Sequence, residues 1–388
     1  MGIRDKNNYL KQLTSQLRFR SVDLGKRIEG STPPSAFIGS WNYPKVLAGP
    51  LLVPELTETS RMDSPEDWIP SQNTIEDIIG YRLSMVRGKH EVNVTDVDNR
   101  IVSKLQETVM SRDPIPGCAE FVKKPSGMSF NDHHTPHGPS GEYTSYETDN
   151  CRWDKDMEKA HYDTDLKARD AVLELYDKST PFSRIQKAFS VGSFGAGRRR
   201  RLVPTRWSIT ACDTTLADSL SQEVRNNESI DYYRVHEFES LNNYYAIILT
   251  PTPWQYEWME AFLHVLGREE VLFTDHEWNN GKKGYSTVGG CYYSCKFGVL
   301  EGLAREGIQA GAIVLREAYE GYVPLGVFNV RENVRAAMNT KPSEHSSLGE
   351  ALDSVEPRLR LGVDRFIRDS SVLREELRSR QLRLSQFT

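Results

Sequence analysis

The sequence predicts an α+β protein, with mixed, partly antiparallel sheets and packed helices in two regions, followed by a mobile C-terminal tail. Three observations lead there. Short apolar runs punctuated by Pro and Gly alternate with helical periodicity, but without the steady βαβ repeat of a Rossmann or TIM architecture. The 388 residues suffice for two or three domains with a substantial core. A polar turn, DHEWNNGKKG from Asp275, is the best internal boundary. The expected regions are a basic amphipathic segment (1–30), an N-terminal region (31–280), a C-terminal region (281–380) and a tail (381–388).

A formal net charge of -5 excludes wholesale coating of nucleic acid, so any DNA contact must come from a local basic patch. No apolar run reaches membrane-spanning length, and the start, MGIRDKNNYLKQL, lacks the apolar core of a signal peptide. The expectation is a cytoplasmic protein with no membrane partner. Five widely spaced cysteines suit a reducing compartment.

In chain order, Leu10, Leu13 and Leu17 stand at helical spacing among Arg and Lys, predicting a helix that packs its leucines on a neighbouring domain; resting on DNA is the rarer alternative. Residues 32–54, broken by Pro and Gly, predict edge strands or extended loops crossing a core. Asp63 to Trp68 reads as a turn and helix start, Ile75 to Val86 as a helix and 101–110 as another. Periodicity then disappears, so 113–162 reads as a long loop. It carries Cys118, His133, His134, His137, Cys151 and His161, residue types that bind zinc, but their spacing matches no closed site and no metal site is assigned. A helix is expected over Asp163 to Tyr176.

The most informative interior stretch runs from Gly192 to Asp213. A glycine-rich turn leads into Arg198, Arg199, Arg200 and Arg201, then into what reads as an apolar strand holding Arg206. Backbone N–H groups of such a turn cradle phosphate and Arg grips it bidentately, which makes these five arginines the candidate nucleic-acid contacts. The stretch is neither a Walker loop nor a dinucleotide fingerprint. The alternative is a solvated basic hairpin.

A helix is expected over Thr215 to Val224, strands over Tyr232 to Glu239 and Tyr244 to Leu249, and a ring-rich helix over Pro253 to Leu266, read as core before base-stacking platform. A helix from Gly289 to Arg305 puts Cys291 and Cys295 on one face, either half a metal site or small buried residues. Strands at Ala310 to Arg316 and Val323 to Val330, a helix at Arg331 to Met338, a polar linker at 339–350 and a helix at Ser370 to Arg380 complete the chain. Nuclease-like chemistry would need clustered carboxylates beside a phosphate-gripping Arg. Arg206 and Asp213 on the central strand, with Glu257, Asp275, Glu277 and Glu317, are the residues a fold would have to gather, and no catalytic residue is assigned.

The tail reads QLRLSQFT. Gln381, Leu384 and Phe387 share one side of a 3₁₀ or α turn, a polar hook beside an apolar plug. This resembles the PIP box, the peptide by which replication and repair proteins hold the PCNA sliding clamp. It departs from the fullest form in having one aromatic, since Thr388 stands where a second ring is often found.

With these segments in view, the whole chain resembles the archaeal Nre family of DNA-repair proteins. The matching blocks are TPPSAFIGSWNYPKVLAGPLLVP with DSPEDW, PHGPS, RLVPTRWSITACD, GGCYYSCKFGVLEGL and VLREAYEGYVPLGVFNVRENVRAAM, in order along the chain. The resemblance implies two consecutive regions, Nre_N and Nre_C, a role in the response to DNA damage, and clamp binding through the C-terminal peptide. Some members begin with a zinc-finger-like cysteine cluster. The first cysteine here is Cys118, so that site is not carried over, and cofactors stay unknown. The reading is a DNA-repair factor recruited by PCNA and contacting DNA. The alternatives are a metal-dependent DNA-processing enzyme on the same tether, or a non-catalytic adaptor.

Overall fold

The computed structural model describes residues 3–16 and 24–385. In chain order the elements are α1 (Ile3–Gln16), β1 (Arg27–Thr32), β2 (Ala36–Ile38), β3 (Lys45–Leu52), α2 (Pro65–Trp68), α3 (Ile75–Leu83), β4 (Val86–Asn93), α4 (Arg100–Met110), β5 (Ile115–Phe121), β6 (Ser140–Thr148), α5 (Lys155–Tyr162), α6 (Ala168–Asp177), α7 (Phe182–Ser190) and α8 (Thr205–Val224). There follow β7 (Tyr233–Ser240), β8 (Asn243–Thr250), β9 (Tyr256–Leu263), β10 (Glu270–Glu277), α9 (Gly290–Glu306), β11 (Gly311–Ala318), α10 (Phe328–Met338), β12 (Ser343–His345), α11 (Leu348–Val355), α12 (Val363–Asp369) and α13 (Val372–Ser385). This is the expected α+β class: two six-stranded mixed sheets with helices packed on them. The chain forms two compact units, one of Arg18–Leu216 and one of Met1–Leu17 with Ala217–Thr388, the division falling inside α8.

In the unit Arg18–Leu216 the strand order is β1-β5-β6-β4-β3-β2, antiparallel except for the β4–β6 pair. Ser31 and Val53 exchange backbone hydrogen bonds of 3.1 and 2.8 Å, so β1 returns to the end of β3 and the sheet curls on itself. Gly30 is required there: a Cβ would lie 1.8 Å from the Val53 carbonyl oxygen. Against the sheet's end sits a buried ionic knot. Asp63 pairs with Arg82 of α3 through a short contact and with Lys187 of α7 at 2.8 Å. The two cations hold its carboxyl below the usual range despite burial, the larger opposing effect.

The other unit orders its sheet β10-β9-β11-β8-β7-β12, with β9 and β11 parallel. One face packs Met259, Ala261, Ile313 and Leu315 against the apolar sides of α11, α12 and α13. On the other, Arg316 bonds Glu260 at 2.9 Å and Asn243 at 2.7 Å, and Lys6 of α1 closes on the same glutamate. Leu10 and Leu13 of α1 are buried, as the periodicity predicted, while Leu17 lies outside the described residues.

Several sequence expectations are corrected. Pro253 to Leu266 is not a helix but holds β9, buried at every position because both faces are covered. Thr205 to Asp213 is not a strand but the first half of the 20-residue α8; its buried Ser208, Cys212 and Leu216 follow a helical period that the β-branched residues mask. Residues 113–162 are not a loop but contain β5, β6 and α5. In β6 only Tyr143 and Tyr146 point inward, so a polar outer face hid the strand. Val323 to Val330 is no strand: Pro324 and Gly326, the latter at φ 94°, interrupt it and α10 begins at Phe328. The 339–350 linker contains β12 and the start of α11, whose N-cap Ser347 accepts the Glu350 N–H. Helices at 75–83, 100–110, 290–306 and 328–338, and strands β7, β8 and β11, fall where expected within a turn.

The knot at Asp63 sets a stability test. Asp63→Asn leaves Arg82 and Lys187 buried without a counter-charge and is expected to cost about 3–5 kcal/mol in chemical unfolding.

Candidate phosphate and nucleic-acid interface

A pocket of about 330 Å³ opens in the unit Arg18–Leu216. Phe37 on β2, Gly39 just after it, Trp41 in the following turn and Leu47 on β3 form one side; Arg87 and Lys89, two apart on β4, share another. The 126–140 segment adds Ser129, Asn131, His134 and His137, and α8 contributes Arg206 from its first turn. Three sequence blocks thus meet here: TPPSAFIGSW…, PHGPS and RLVPTRW. Among the described residues, no Asp or Glu lines the pocket.

Each side chain is held in place. Arg87 sits over Phe37, its guanidinium carbon 3.9 Å from the ring centroid. It reaches the Leu47 carbonyl and His137 Nε2, both at 3.3 Å, and its buried Nε–H has no acceptor among the described residues. Burial alone pulls its pKa from 12.5 down to about 9, with no carboxylate opposing. The histidines are fixed through their other nitrogens. His134 Nδ1 donates to the Thr135 carbonyl at 2.8 Å and His137 Nδ1 to the Gly138 carbonyl at 3.0 Å, so both Nε2 atoms carry lone pairs and His137 accepts from Arg87. Arg82 Nε bonds the Pro136 carbonyl at 2.9 Å, tying this segment to the Asp63 knot. Burial first, with Arg87 adding repulsion, drives the His134 pKa down to about 3 and that of His137 well below its ordinary value.

The rim is aromatic and basic. Trp41 is 80% exposed, and Tyr43 packs on Trp207 with centroids 5.1 Å apart. Of the five candidate arginines, Arg206 lines the pocket. Arg198 and Arg199 lie in a 3₁₀ turn (Gly197–Arg199) and are exposed, as is Arg201, and none makes an ion pair among the described residues. Arg200 instead serves the turn, donating to the carbonyls of Gly195, His161 and Asp163 at 2.7, 2.5 and 3.1 Å.

The other sequence candidates are dispersed. His161 bonds the Ser193 carbonyl and packs on Trp153, Cys151 bonds the Glu107 carbonyl, and Cys118 lies on β5, whereas His134 and His137 stack with ring centroids 6.2 Å apart. Cys291 and Cys295 are buried, and burial raises the Cys295 pKa so that it stays a thiol. Asp213 and Arg206 are on α8, not on a central strand. Glu257 and Glu317 lie on the sheet face covered by α11 to α13, whereas Asp275 and Glu277 pair in register with Trp258 and Tyr256 on the opposite face. All four carboxylates are engaged. Glu257 accepts from Ser370, Ser371 and Val372, and Glu317 from the Arg360 and Leu361 N–H groups; Asp275 pairs with Lys282 and Glu277 with Lys296. No cluster of His, Cys, Asp or Glu suited to a metal occurs among the described residues. Gln381 and Leu384 fall in the last turns of α13, while Phe387 lies outside the described residues. Sequence reasoning missed Arg87 and Lys89; two cations at alternate positions of one strand were the available signal.

The class defined by this geometry is an α+β protein with a cationic, acid-free pocket and an aromatic rim. Comparison with known proteins narrows it. The signature of "Archaeal Nre, N-terminal" matches residues 3–265 and that of "Archaeal Nre, C-terminal" residues 277–387. The chain belongs to the archaeal Nre family. It is 37% identical to DNA repair protein NreB of Archaeoglobus fulgidus, over 94% of this chain and 93% of that protein. DNA repair protein NreA of the same organism is 33% identical, covering 89% of each chain. NreA of Haloferax volcanii is 31% identical over 92% of this chain and 89% of the relative. No solved structure matches. Among the described residues no helix is long and apolar enough to cross a membrane.

The histidines carry a pH prediction. His134 has a folded pKa below its unfolded value, so its contribution to stability is complete above about pH 6.5 and is lost as pH falls towards about 3, where the unfolded chain binds the extra proton. Urea unfolding across that window is expected to show stability falling with acid, by up to about 1.4 kcal/mol per pH unit for this histidine. His134→Gln should flatten the slope.

Proposed function

We propose that this protein is a DNA-repair factor, held at its site of action by the PCNA sliding clamp and contacting DNA through its basic, ring-bearing surface. The carrying observation is the set of exposed arginines without ion pairs among the described residues, Arg198, Arg199, Arg201 and Arg206, in a chain whose net charge is -5. Arg206 stands beside Trp207 and the pocket rim, which supplies ring faces for bases and cations for phosphates from one surface. The three relatives are named DNA repair proteins, which supports the same role here.

The tether in this reading is the peptide Gln381, Leu384 and Phe387. Glu257 supports its delivery: a carboxylate from β9 accepts the Ser371 N–H at 2.7 Å and the Val372 N–H at 3.1 Å, capping the helix on which Gln381 and Leu384 stand. The leucine and phenylalanine supply the affinity and the folded body supplies the cargo.

Two measurements test the reading. Calorimetric titration with the clamp should give saturable binding that Phe387→Ala abolishes; no binding by the intact chain would remove the tether. Replacing Arg198, Arg199, Arg201 and Arg206 with Ala should weaken duplex binding and reduce the salt slope by about 0.9 for each phosphate that the variant fails to neutralise. An unchanged slope would mean that DNA binds elsewhere.

A further inference from the structure

Binding of DNA to a basic surface needs exposed cations, yet Arg87 is 8% exposed. A guanidinium carries five N–H donors. In Arg87 these find two acceptors, both at 3.3 Å, one of them an imidazole nitrogen, and Nε–H finds none among the described residues. Arg82 on α3, buried still more deeply, is paired with Asp63 and bonds the Pro136 carbonyl. The same interior therefore provides a carboxylate for one arginine and withholds it from the other, although an unpaired buried charge destabilises the fold.

We propose that the Arg87 pocket is a binding site for a phosphate monoester, the terminal phosphate of a nucleic-acid strand or of a free nucleotide. Charge comes first. Lys89 and Arg206 join Arg87 in the lining, and no acid lines it among the described residues, an arrangement that suits a dianion better than the single charge of a backbone diester. Burial and then the charge of Arg87 pull the Lys89 pKa down, a repulsion that a bound anion relieves. Donors come second: Arg87 keeps its Nε–H unspent, and Ser129 and Asn131 line the same cavity. Access comes third. Gly39 carries no side chain where a Cβ would lie 3.1 Å from Arg87 Nη2, which leaves space beside that nitrogen.

Size and rim point the same way. The cavity, about 330 Å³, is at the lower end of the ~300–1,000 Å³ in which small ligands are held, enough for a single nucleotide and too little for a duplex. Trp41, 80% exposed at its mouth, offers a face to the base or sugar that follows the phosphate. The inference rests on the nucleic-acid reading above for the source of the phosphate, but not for the phosphate chemistry itself.

The test uses the full chain and four probes: deoxythymidine 5′-monophosphate, and one single-stranded oligonucleotide ending in 5′-phosphate, 3′-phosphate or hydroxyls. Calorimetry is expected to show at least tenfold tighter binding of a phosphorylated end than of the hydroxyl ends. Arg87→Met should erase that ratio while leaving the thermal midpoint unchanged or higher, because it removes a buried charge that has no counter-ion. A purely structural arginine would instead lower the midpoint and leave the ratio intact, which would overturn the site. Should Arg87→Met fail to fold, Lys89→Gln decides: weaker binding of the phosphorylated end at an unchanged midpoint supports the site, and unchanged binding removes it. Monophosphate binding that depends on Arg87, without preference among oligonucleotide ends, keeps the phosphate site and assigns it to free nucleotides. Equal binding of all oligonucleotides with none of the monophosphate overturns the site and leaves the basic-surface reading standing.

Discussion

The unit Arg18–Leu216 depends on one buried carboxylate. Asp63 takes Arg82 from α3 and Lys187 from α7, and Lys187 also bonds the Asp63 carbonyl at 2.8 Å, so three segments distant in sequence are fixed at one point. In low dielectric this arrangement holds because one carboxylate is shared by two cations, each of which also donates to a backbone carbonyl. Its reach extends to the pocket, because the Arg82 guanidinium also fixes the Pro136 carbonyl and so sets where His134 and His137 stand. A satisfied arginine on α3 and an unsatisfied one on β4 are thus near neighbours in sequence. The contrast is the most specific chemical statement the fold makes.

The other unit uses its buried acids differently. Glu257 and Glu317, on the face covered by α11 to α13, accept backbone N–H groups where the chain turns into its last helices. Glu260 joins Arg316 to Lys6, bringing α1 onto the opposite face. These carboxylates replace the water that helix ends and strand-centre cations would otherwise need. Their commitments explain why residues that by type alone suggest a metal-dependent nuclease are divided between two faces of one sheet. Here buried charge serves assembly, whereas at Arg87 it stands without a counter-ion.

Much of the fold was legible in the sequence. Helices with an apolar stripe and a clear cap, such as α3 with its Thr74–Asp77 capping box, stand where periodicity puts them. The failures at β9 and α8 share a cause: hydropathy does not report the pattern of burial. In β9 the rings Tyr256, Trp258 and Phe262 occupy alternate positions, a strand period, but Met259, Ala261 and Leu263 fill the gaps because the other face is covered as well. In α8 the buried positions are largely Ser, Cys, Ala and Asp, which carry little hydropathy signal. Of the candidate site, Arg206 was legible as part of a basic run and does line the pocket. Arg87 was not legible, because an Arg two residues from Lys89 in a largely polar strand looks solvated until the fold shows that it is buried with no acid in the pocket lining.

The proposed tether and the proposed pocket answer to different physical demands, and the chain keeps them apart in sequence. A tail that binds a clamp must be reachable and needs few fixed partners. A pocket that distinguishes a phosphate end must be rigid, with its donors placed before the ligand arrives. Coupling the two relaxes the affinity each must reach. Once a clamp already on DNA holds the chain, the second binding event becomes intramolecular at an effective concentration of order millimolar. A site for one phosphate, built from a single buried arginine and two flanking cations, is too small to bind strongly alone. Held beside DNA it needs only to discriminate, and an arginine kept buried without a counter-ion suits that task, since its preference for a dianion is not blunted by a carboxylate of the protein's own.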